Sequence, residues 1–277
     1  MPKNSACCNI AGRNAKDGAN RTKGPRMNEI TCKLQREAER IASKHPLPKF
    51  YTRFKAPLAV AKRLFYNHPG VVRLRAIAEP EYNEALGHGV FHSARVSIDC
   101  AALVHIETNG NRMEPSAVER LMVIGIYAGV LHDICRDEQN HAQCGAEKAQ
   151  RLLCDFSLSP EEIICVSDAI RNHEAFASST SSGRQWAQLV SDCLYDADKF
   201  RWGADTFTHM LWHMMDYQSI SPGELIEKFP WGMSGAASII ETFRTATGRQ
   251  FGPEIVENGL EIGKEIYRYL IEHFRES

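Results

Sequence analysis

The sequence predicts an all-α protein, because helical signals recur along the chain while strand signals do not. Apolar residues return at three- and four-residue spacing in most segments, which is the period of one face of a helix. Helix-start signals precede several of these segments, as at Ser159 and Ser221, where a capping serine is followed by proline and then by a capping glutamate. We find no convincing period-2 strand, internal repeat, Gly-rich phosphate loop or G-x-S-x-G elbow.

The N-terminal part is expected to contain a tail followed by short helices. Residues 1–26 are rich in Gly, Asn and basic residues, a composition typical of a disordered tail. Met27 precedes the first helical pattern and is a candidate for the true start of the protein. Residues 27–83 are predicted to form an N-terminal helical segment, whose first helix runs from about 28 to 43 and ends before two X-Pro pairs.

Residues 84–205 are predicted to form the core of the bundle. A long helix is expected from about Glu81 to Glu107. The run from Leu121 to Leu131 is apolar on every side but too short for a membrane span, so it should be a buried helix. Further helices are expected at 140–155, 159–173 and 186–200. Residues 206–277 are expected to add C-terminal helices packed on this core.

Composition limits the classes of function. The chain has 277 residues, 43% hydrophobic and 24% charged, as in an ordinary globular protein. Its formal net charge of -1 argues against a nucleic-acid partner. No stretch reaches the roughly 18 consecutive apolar residues of a membrane span, and no secretory signal is present. Nine cysteines without a C-x-x-C pair predict a reducing, cytoplasmic location and no zinc ribbon.

Polar side chains that suit a metal ion stand at the ends and faces of these apolar helices. His132 and Asp133 follow directly on the buried run, and His141 comes nine residues after His132. His92 lies upstream on a predicted helix, and His173 ends another downstream. An imidazole nitrogen is a borderline ligand and a carboxylate oxygen a hard one, so together they suit a divalent ion.

Two aspartates, Asp196 and Asp198, compete as a further ligand. Both flank the apolar side of the same predicted helix at similar angles, so helical geometry does not decide between them. A histidine on an apolar helix is more often a hydrogen-bonded core residue than a ligand. We assign that structural role to four others: His88, His105, His209 and His213.

The order of the candidate ligands resembles the HD-domain superfamily of metal-dependent phosphohydrolases. Its pattern is a His, often with Arg three residues later, then a His-Asp pair, then a distant Asp in an Ala-Asp-basic-apolar setting, all on helices. The matching positions here are His92 with Arg95, His132, Asp133 and Asp198, with Asp196 as runner-up. The resemblance covers about Glu84 to Asp205. It implies an HD-domain helical bundle with extra N- and C-terminal helices.

The resemblance also implies the metal content of the site. Family members with two ions add two histidines between the His-Asp pair and the last Asp, and His141 and His173 match them. Some of these members have two adjacent histidines at the second of these positions. This chain differs from them, because Asn172 stands where the first histidine of that pair would be, just before His173. The histidine-rich set implies one or two divalent transition ions, and manganese, iron, zinc, cobalt or nickel fit better than magnesium.

The function implied is hydrolysis of a phosphoester or phosphoanhydride in a nucleotide or small phosphorylated metabolite, by metal-activated water. Asp133 would bridge two ions, Arg136 would bind phosphate, and Glu174 would serve acid–base chemistry. Arg95 and Lys199 are further candidates for substrate binding. We expect no nucleic-acid or membrane partner, and the flanking helices could form a lid or a homo-oligomer surface.

Two alternatives remain open from the sequence. Some family members with six such ligands are di-iron oxygenases, which activate oxygen instead of hydrolysing phosphate. A regulatory module could keep the pocket for metal or nucleotide without turnover. An anaerobic assay separates the first alternative from a hydrolase, and a broad phosphatase screen tests the second.

Overall fold

The computed structural model describes residues 27–84, 87–109, 113–177 and 183–274, and within them every regular element is a helix, which confirms the predicted all-α class. The helices are α1 (Glu29–Ala42), α2 (Lys49–Arg53), α3 (Lys55–Asn67), α4 (Pro69–Ala78), α5 (Val90–Thr108), α6 (Pro115–Leu131), α7 (His141–Leu153), α8 (Pro160–Arg171), α9 (Gln185–Lys199), α10 (Leu211–Tyr217), α11 (Pro222–Ser238) and α12 (Ala246–Phe274). A π-helix, Thr206–Met210, precedes α10. The predicted tail, residues 1–26, lies outside the described residues. Among the described helices, none combines the length and apolar character needed to cross a bilayer.

The two predicted helix starts are confirmed. The Ser159 side chain accepts a hydrogen bond from the Glu162 N–H, and Glu162 caps the serine in return at the start of α8. Ser221 and Glu224 form the same reciprocal pair at the start of α11. Each pair satisfies two of the backbone N–H groups that a helix start leaves free.

The predicted long helix is wrong at its N-terminal end, because α5 begins at Val90 and not near Glu81. Gly87 has a φ of 73°, in the left-handed region that favours glycine, and so it turns the chain before the helix. The Glu84 carboxylate accepts a hydrogen bond from the Val90 N–H at 2.8 Å, which satisfies one free donor of the new helix start. His88 therefore lies just before α5 and not within it.

The larger hydrophobic cluster lies among α5, α6, α8 and α9, with α2, α3 and α4 packed against it. All residues from Leu121 to Leu131 in α6 are buried, which confirms the predicted core helix. Helices α5 and α6 approach closely at Gly129, where a Cβ atom would lie 2.6 Å from the Cα of Ser97. This contact sets the spacing of His92 and His132, which stand near it on the two helices.

A second hydrophobic cluster joins the two ends of the described chain. Leu34 and Ile41 of α1 pack with Trp212 of α10 and with the C-terminal half of α12, which contributes Ile262. The N-terminal half of α12 instead joins the larger cluster through Ile255. The N-terminal helices therefore pack partly on the core and partly on the C-terminal helices.

A buried ion network connects α5 to the segment that follows α9. The guanidinium of Arg201, which is almost fully buried, donates to the carboxylates of Asp99 and Asp205 and to the Tyr51 hydroxyl. Tyr51 donates to Asp99 at 2.8 Å, and Arg95 Nε lies 2.9 Å from an Asp205 oxygen. Each charge in this network has a partner of opposite sign.

Candidate metal centre

Helices α5, α6 and α9 bring the first four predicted ligands to one place in the interior. His92 lies in the first turn of α5, and His132 and Asp133 follow directly on α6. Asp198 lies in the last turn of α9. His92, His132 and Asp133 are buried, and the Asp198 side chain is 13% exposed. The apolar faces of three helices thus enclose a small set of polar side chains.

The ligand atoms of these residues are spaced as around a small cation. His92 Nε2 lies 3.1 Å from His132 Nε2 and 3.3 Å from Asp198 Oδ1. Asp133 Oδ2 lies 3.2 Å from His132 Nε2 and 3.6 Å from His92 Nε2. A tetrahedral ion with bonds of about 2.1 Å separates its ligands by about 3.4 Å, so these distances fit one ion.

The tautomer of His132 supports the same conclusion. Its Nδ1 lies 2.8 Å from the Gly129 carbonyl oxygen. A carbonyl only accepts, so Nδ1 carries a proton, and in the neutral ring Nε2 presents a lone pair. That lone pair faces the carboxylates of Asp133 and Asp198, at 3.2 and 3.8 Å. A nitrogen lone pair and a carboxylate repel each other unless a cation or a proton lies between them. An imidazole that donates from Nδ1 to a carbonyl and presents Nε2 has the usual orientation of a metal ligand.

A second group of ligand atoms shares Asp133. Its Oδ1 lies 3.5 Å from His173 Nε2, after α8, and 3.8 Å from His141 Nε2, at the start of α7. His173 Nδ1 donates to the Ile170 carbonyl at 2.6 Å, so its Nε2 also presents a lone pair when neutral. Asp133 Oδ1 is buried and has no hydrogen-bond partner among the described residues. Asp133 therefore faces both groups: Oδ2 lies beside His92 and His132, and Oδ1 lies beside His141 and His173.

The guanidinium of Arg136 lies beside this second group. Its NH1 nitrogen is 2.9 Å from His141 Nε2 and 3.6 Å from Asp133 Oδ1. A guanidinium can only donate, so His141 Nε2 accepts, and the proton of a neutral ring sits on Nδ1. That nitrogen faces Glu174 Oε1 at 3.2 Å. A fixed positive charge thus lies close to where a second ion would contact His141 and Asp133.

The structure separates the two aspartates that the sequence left in competition. Asp198 Oδ1 faces His92 Nε2 at 3.3 Å. Asp196 turns away from the ligand cluster and accepts hydrogen bonds from the backbone N–H groups of Arg244 and Thr245, both at 2.8 Å. Asp196 thus holds the segment before α12, while Asp198 is the aspartate brought to the imidazoles.

Lys199 and Arg95, the two further predicted substrate-binding residues, have protein partners. Lys199 is buried, and its Nζ donates to Asp198 Oδ2 at 2.5 Å and to the His173 carbonyl at 2.8 Å. Arg95 is half-exposed and pairs with Asp205. Contact with substrate stays a prediction for both, and the observed contacts show Lys199 orienting Asp198 while Arg95 joins the ion network.

The electrostatics of the cluster favour ionised carboxylates and a neutral His92, whereas the pKa of His132, which burial acts to lower, is raised by Asp133 and Asp198. Burial acts to raise the pKa of Asp133, but His132 and the other imidazoles hold that pKa well below its usual range. Burial opposes ionisation of Asp198 too, but Lys199 and the imidazoles hold its pKa well below the usual range. Burial lowers the pKa of His92 to about 4. Near neutral pH the site holds two carboxylates and a neutral imidazole, as metal binding needs.

His88 is a residue that the sequence reasoning missed, since we assigned it a structural role. Its ring centroid lies 4.8 Å from that of His92, and its ligand atom groups with those of His92 and Asp133 within 4.8 Å. The turn at Gly87 packs against the backbone of Met210 in the π-helix, where a Cβ would lie 2.9 Å from the Met210 Cα. The four-residue spacing from His92 does not explain this place, because His88 lies before α5 and the turn at Gly87 sets its position.

The donor set as a whole fits a divalent transition ion. Two imidazole nitrogens and two carboxylate oxygens converge at ligand spacing, and Oδ1 of the shared Asp133 carboxylate has no hydrogen-bond donor within the part of the chain that the structure describes. Histidine-rich sets of this kind favour zinc, iron, manganese, cobalt or nickel over magnesium. The residues that would hold the first ion are His92, His132, Asp133 and Asp198.

Comparisons with known proteins give one distant likeness. A scan against protein-family models and a search of curated proteins each find no match. The chain is similar to the crystal structure of a predicted HD superfamily hydrolase from an uncultured Thermotogales bacterium. The two are 20% identical over 79% of this chain and 91% of that chain, with a TM-score of 0.39. The interpretation of the site therefore depends on its own side chains and on their order, which resembles the HD-domain superfamily.

Proposed function

We propose that this protein is a metal-dependent phosphohydrolase that cleaves a phosphoester or phosphoanhydride of a nucleotide or other small phosphorylated metabolite. The observation that carries the proposal is the convergence of His92, His132, Asp133 and Asp198, from three helices, on one buried point. A self-contained helical core does not need two carboxylates beside imidazole lone pairs, because unpaired buried charge is costly.

His92, His132, Asp133 and Asp198 would hold the ion, which would supply Lewis acidity for the activation of water and of a phosphoryl oxygen. Side chains of the protein supply the remaining functions. Lys199 keeps the Asp198 carboxylate in place through the contact at 2.5 Å. The Gly129 and Ile170 carbonyls fix the rings of His132 and His173 through their Nδ1 atoms.

Arg136 is our candidate for binding the substrate phosphate. Its side chain is 34% exposed, so the guanidinium is accessible while it stays beside Asp133 and His141. A guanidinium pairs with phosphate oxygens through two parallel hydrogen bonds. Its positive charge thereby neutralises the phosphate charge, as a second ion would otherwise do. We propose that the chain binds one ion tightly and that Arg136 fills the second position.

The stoichiometry of bound metal tests this assignment of Arg136. Elemental analysis of chelator-stripped and reloaded protein should find one ion per chain in the wild type. Arg136→Met removes the competing charge, so His141, His173 and Asp133 should then take up a second ion. Two tightly bound ions in the wild type, or no gain in the variant, would contradict the proposal.

Glu174 and His141 are proposed to move a proton between the site and solvent. Glu174 Oε1 lies 3.2 Å from His141 Nδ1, and its side chain is 41% exposed while His141 is 13% exposed. The pair thus reaches from the interior to the surface. A leaving-group oxygen needs a proton as its bond to phosphorus breaks, and for His141 to supply it from Nε2, Arg136 has to turn from that nitrogen to the phosphate.

The proposed function is tested by metal content and turnover together. Purified protein is stripped with a chelator, reloaded with each candidate ion, and assayed for phosphate release from a panel of nucleotides and small phosphate esters. His132→Ala or Asp133→Ala should abolish both tight ion binding and turnover. His105→Ala is the matched control. His105 lies thirteen residues after His92 on α5, which places it about 20 Å from the site along the helix. Full turnover by metal-free His132→Ala would rule the mechanism out.

A di-iron oxygenase is the second candidate. The observation that favours it is the presence of both ligand groups, with the two oxygens of Asp133 facing one group each. Phosphate release that continues without oxygen supports the hydrolase. An iron-loaded protein that consumes oxygen and releases no phosphate supports the oxygenase instead. An inert protein that still binds ion and nucleotide would be a regulatory module.

A further inference from the structure

Two thiols touch beside the candidate metal centre. The Sγ atoms of Cys135 and Cys144 are 2.7 Å apart, and both residues are free cysteines. Cys135 comes two residues after Asp133, and Cys144 lies on α7, three residues after His141. A disulfide has an S–S bond of about 2.0 Å, so only a small movement separates the observed contact from a covalent bond.

Other accessible cysteines have different partners. The exposed Cys154 lies 3.2 Å from the Gln150 carbonyl oxygen, and the half-buried Cys32 lies 3.7 Å from the Met27 carbonyl oxygen. Cys144 is half-buried and Cys135 buried, so an oxidant reaches Cys144 first. The pair therefore combines an accessible sulfur with a second sulfur already in contact with it.

The segment between the two cysteines holds much of the site. It contains Arg136 and His141 and begins next to Asp133. The Asn140 side chain makes no capping hydrogen bond at the start of α7, so the first turn, which carries His141, lacks the stabilisation that a side-chain cap provides. A covalent link to Cys144 would tie this turn to the turn that carries Asp133.

We propose that Cys135 and Cys144 form a reversible disulfide when the protein meets a peroxide, and that this bond fixes α7 to the ligand-bearing turn. The Cys144 thiol loses its proton, the thiolate attacks a peroxide oxygen, the O–O bond breaks to give a sulfenic acid, and the departing hydroxide takes up that proton and leaves as water. The Cys135 sulfur then displaces the sulfenic hydroxyl, which leaves as water while the S–S bond forms. One hydrogen peroxide and two thiols thus give one disulfide and two waters.

Peptide mapping tests the bond directly, with or without metal. The protein is treated with hydrogen peroxide, alkylated and digested with trypsin, which cleaves after Arg136 between the two cysteines. The expected product is a linked pair of peptides, 121–136 and 137–148, that dithiothreitol separates. Cys154→Ser, the control at an exposed thiol, should leave the link unchanged, and Cys144→Ser should abolish it. Absence of this linked pair, or its loss in Cys154→Ser, would overturn the proposal.

The bond should also stabilise the metal-free protein. Closing a short loop restricts the unfolded chain, and for a chain of this size we expect Tm to rise by about 5 °C on oxidation. Dithiothreitol should reverse the rise, and both Cys144→Ser and Cys144→Ala should lack it. A mapped disulfide with a lower Tm would show that the bond strains the fold, and would contradict the claim that it fixes α7 in its present place.

The consequence for ion binding rests on the proposed function. Because the bond restrains the turns that carry Asp133 and His141, a chelator should remove the ion several-fold more slowly from the oxidised protein than from the reduced one. An unchanged or faster rate would overturn this part of the inference. A protein that forms the disulfide but binds no ion in either state would contradict the proposed function and leave the disulfide standing.

Discussion

Two buried polar clusters lie along one side of α5 and differ in how their charge is balanced. His92 belongs to the ligand cluster, and Arg95 and Asp99, three and seven residues later on the same helix face, belong to the ion network around Arg201. In the ion network the carboxylates meet guanidinium groups. In the ligand cluster the carboxylates meet imidazoles, and in two of these, His132 and His173, Nδ1 is fixed to a backbone carbonyl.

This difference distinguishes a cluster that stabilises the fold from one built to bind. Arg201 satisfies its neighbours with hydrogen bonds that the protein itself provides, and Tyr51, Asp205 and Asp99 raise its pKa although burial acts to lower it. In the ligand cluster the buried carboxylate of Asp133 and that of Asp198 instead lie 3.2 and 3.8 Å from His132 Nε2, which presents a lone pair when the ring is neutral. A buried acceptor costs free energy unless a donor or a cation interacts with it. The ligand cluster therefore points to a cation from outside the chain.

Removing Arg201 should have the largest effect on stability. Arg201→Met keeps most of the volume but leaves the buried carboxylates of Asp99 and Asp205 without their shared cation, so the free energy of unfolding should fall by about 3–5 kcal/mol. Urea unfolding measures the change, with and without divalent ion. Arg63→Met, which removes an exposed pair with Glu119, is the control and should cost less than about 1 kcal/mol.

If Arg201→Met cost no more than the control, the two clusters would not differ in the way described. An equal loss in metal-free and metal-loaded protein is expected, since the network holds its charge balance without the ion. A loss seen only in the loaded protein would instead place Arg201 within the metal site.

Removing a ligand histidine should have a much smaller effect on the metal-free fold. His92→Leu is similar in volume, and it takes away a buried Nδ1 that has no hydrogen-bond partner among the described residues. We expect the free energy of unfolding of metal-free protein to change by less than about 1 kcal/mol, because removal of the unsatisfied Nδ1 is favourable while loss of the Nε2 contact with Asp198 is unfavourable. Saturating divalent ion should stabilise the wild type and not the variant. A collapse of the metal-free variant would make His92 a structural residue.

The fold class followed from local patterns in the sequence, whereas the set of candidate ligands followed from its resemblance to the HD-domain superfamily. The all-apolar run of α6 predicted a buried helix and placed His132 and Asp133 at its end, where polar groups can meet inside the protein. The choice between Asp196 and Asp198 could not follow from helical spacing, because it depends on backbone donors at Arg244 and Thr245, 48 and 49 residues along the chain from Asp196.

Other features depend on contacts that no local pattern contains. The turn at Gly87 depends on a close approach to the π-helix near Met210. Because of this turn, α5 begins later than predicted and His88 lies beside the site. The placement of Arg136 against His141 depends on the turn that links α6 to α7. The partners of Arg201 come from three separate segments.

Equilibrium binding of Co²⁺, followed by its visible absorption, tests the central claim most directly. Two variants are compared with the wild type: Asp198→Asn and Asp196→Asn. Each replaces one carboxylate oxygen by an amide nitrogen on the same helix, and only Asp198 faces the imidazoles. The wild type and Asp196→Asn should bind Co²⁺ with similar affinity, while Asp198→Asn should lose the tight site. Equal affinity in all three proteins, or loss in Asp196→Asn alone, would contradict it.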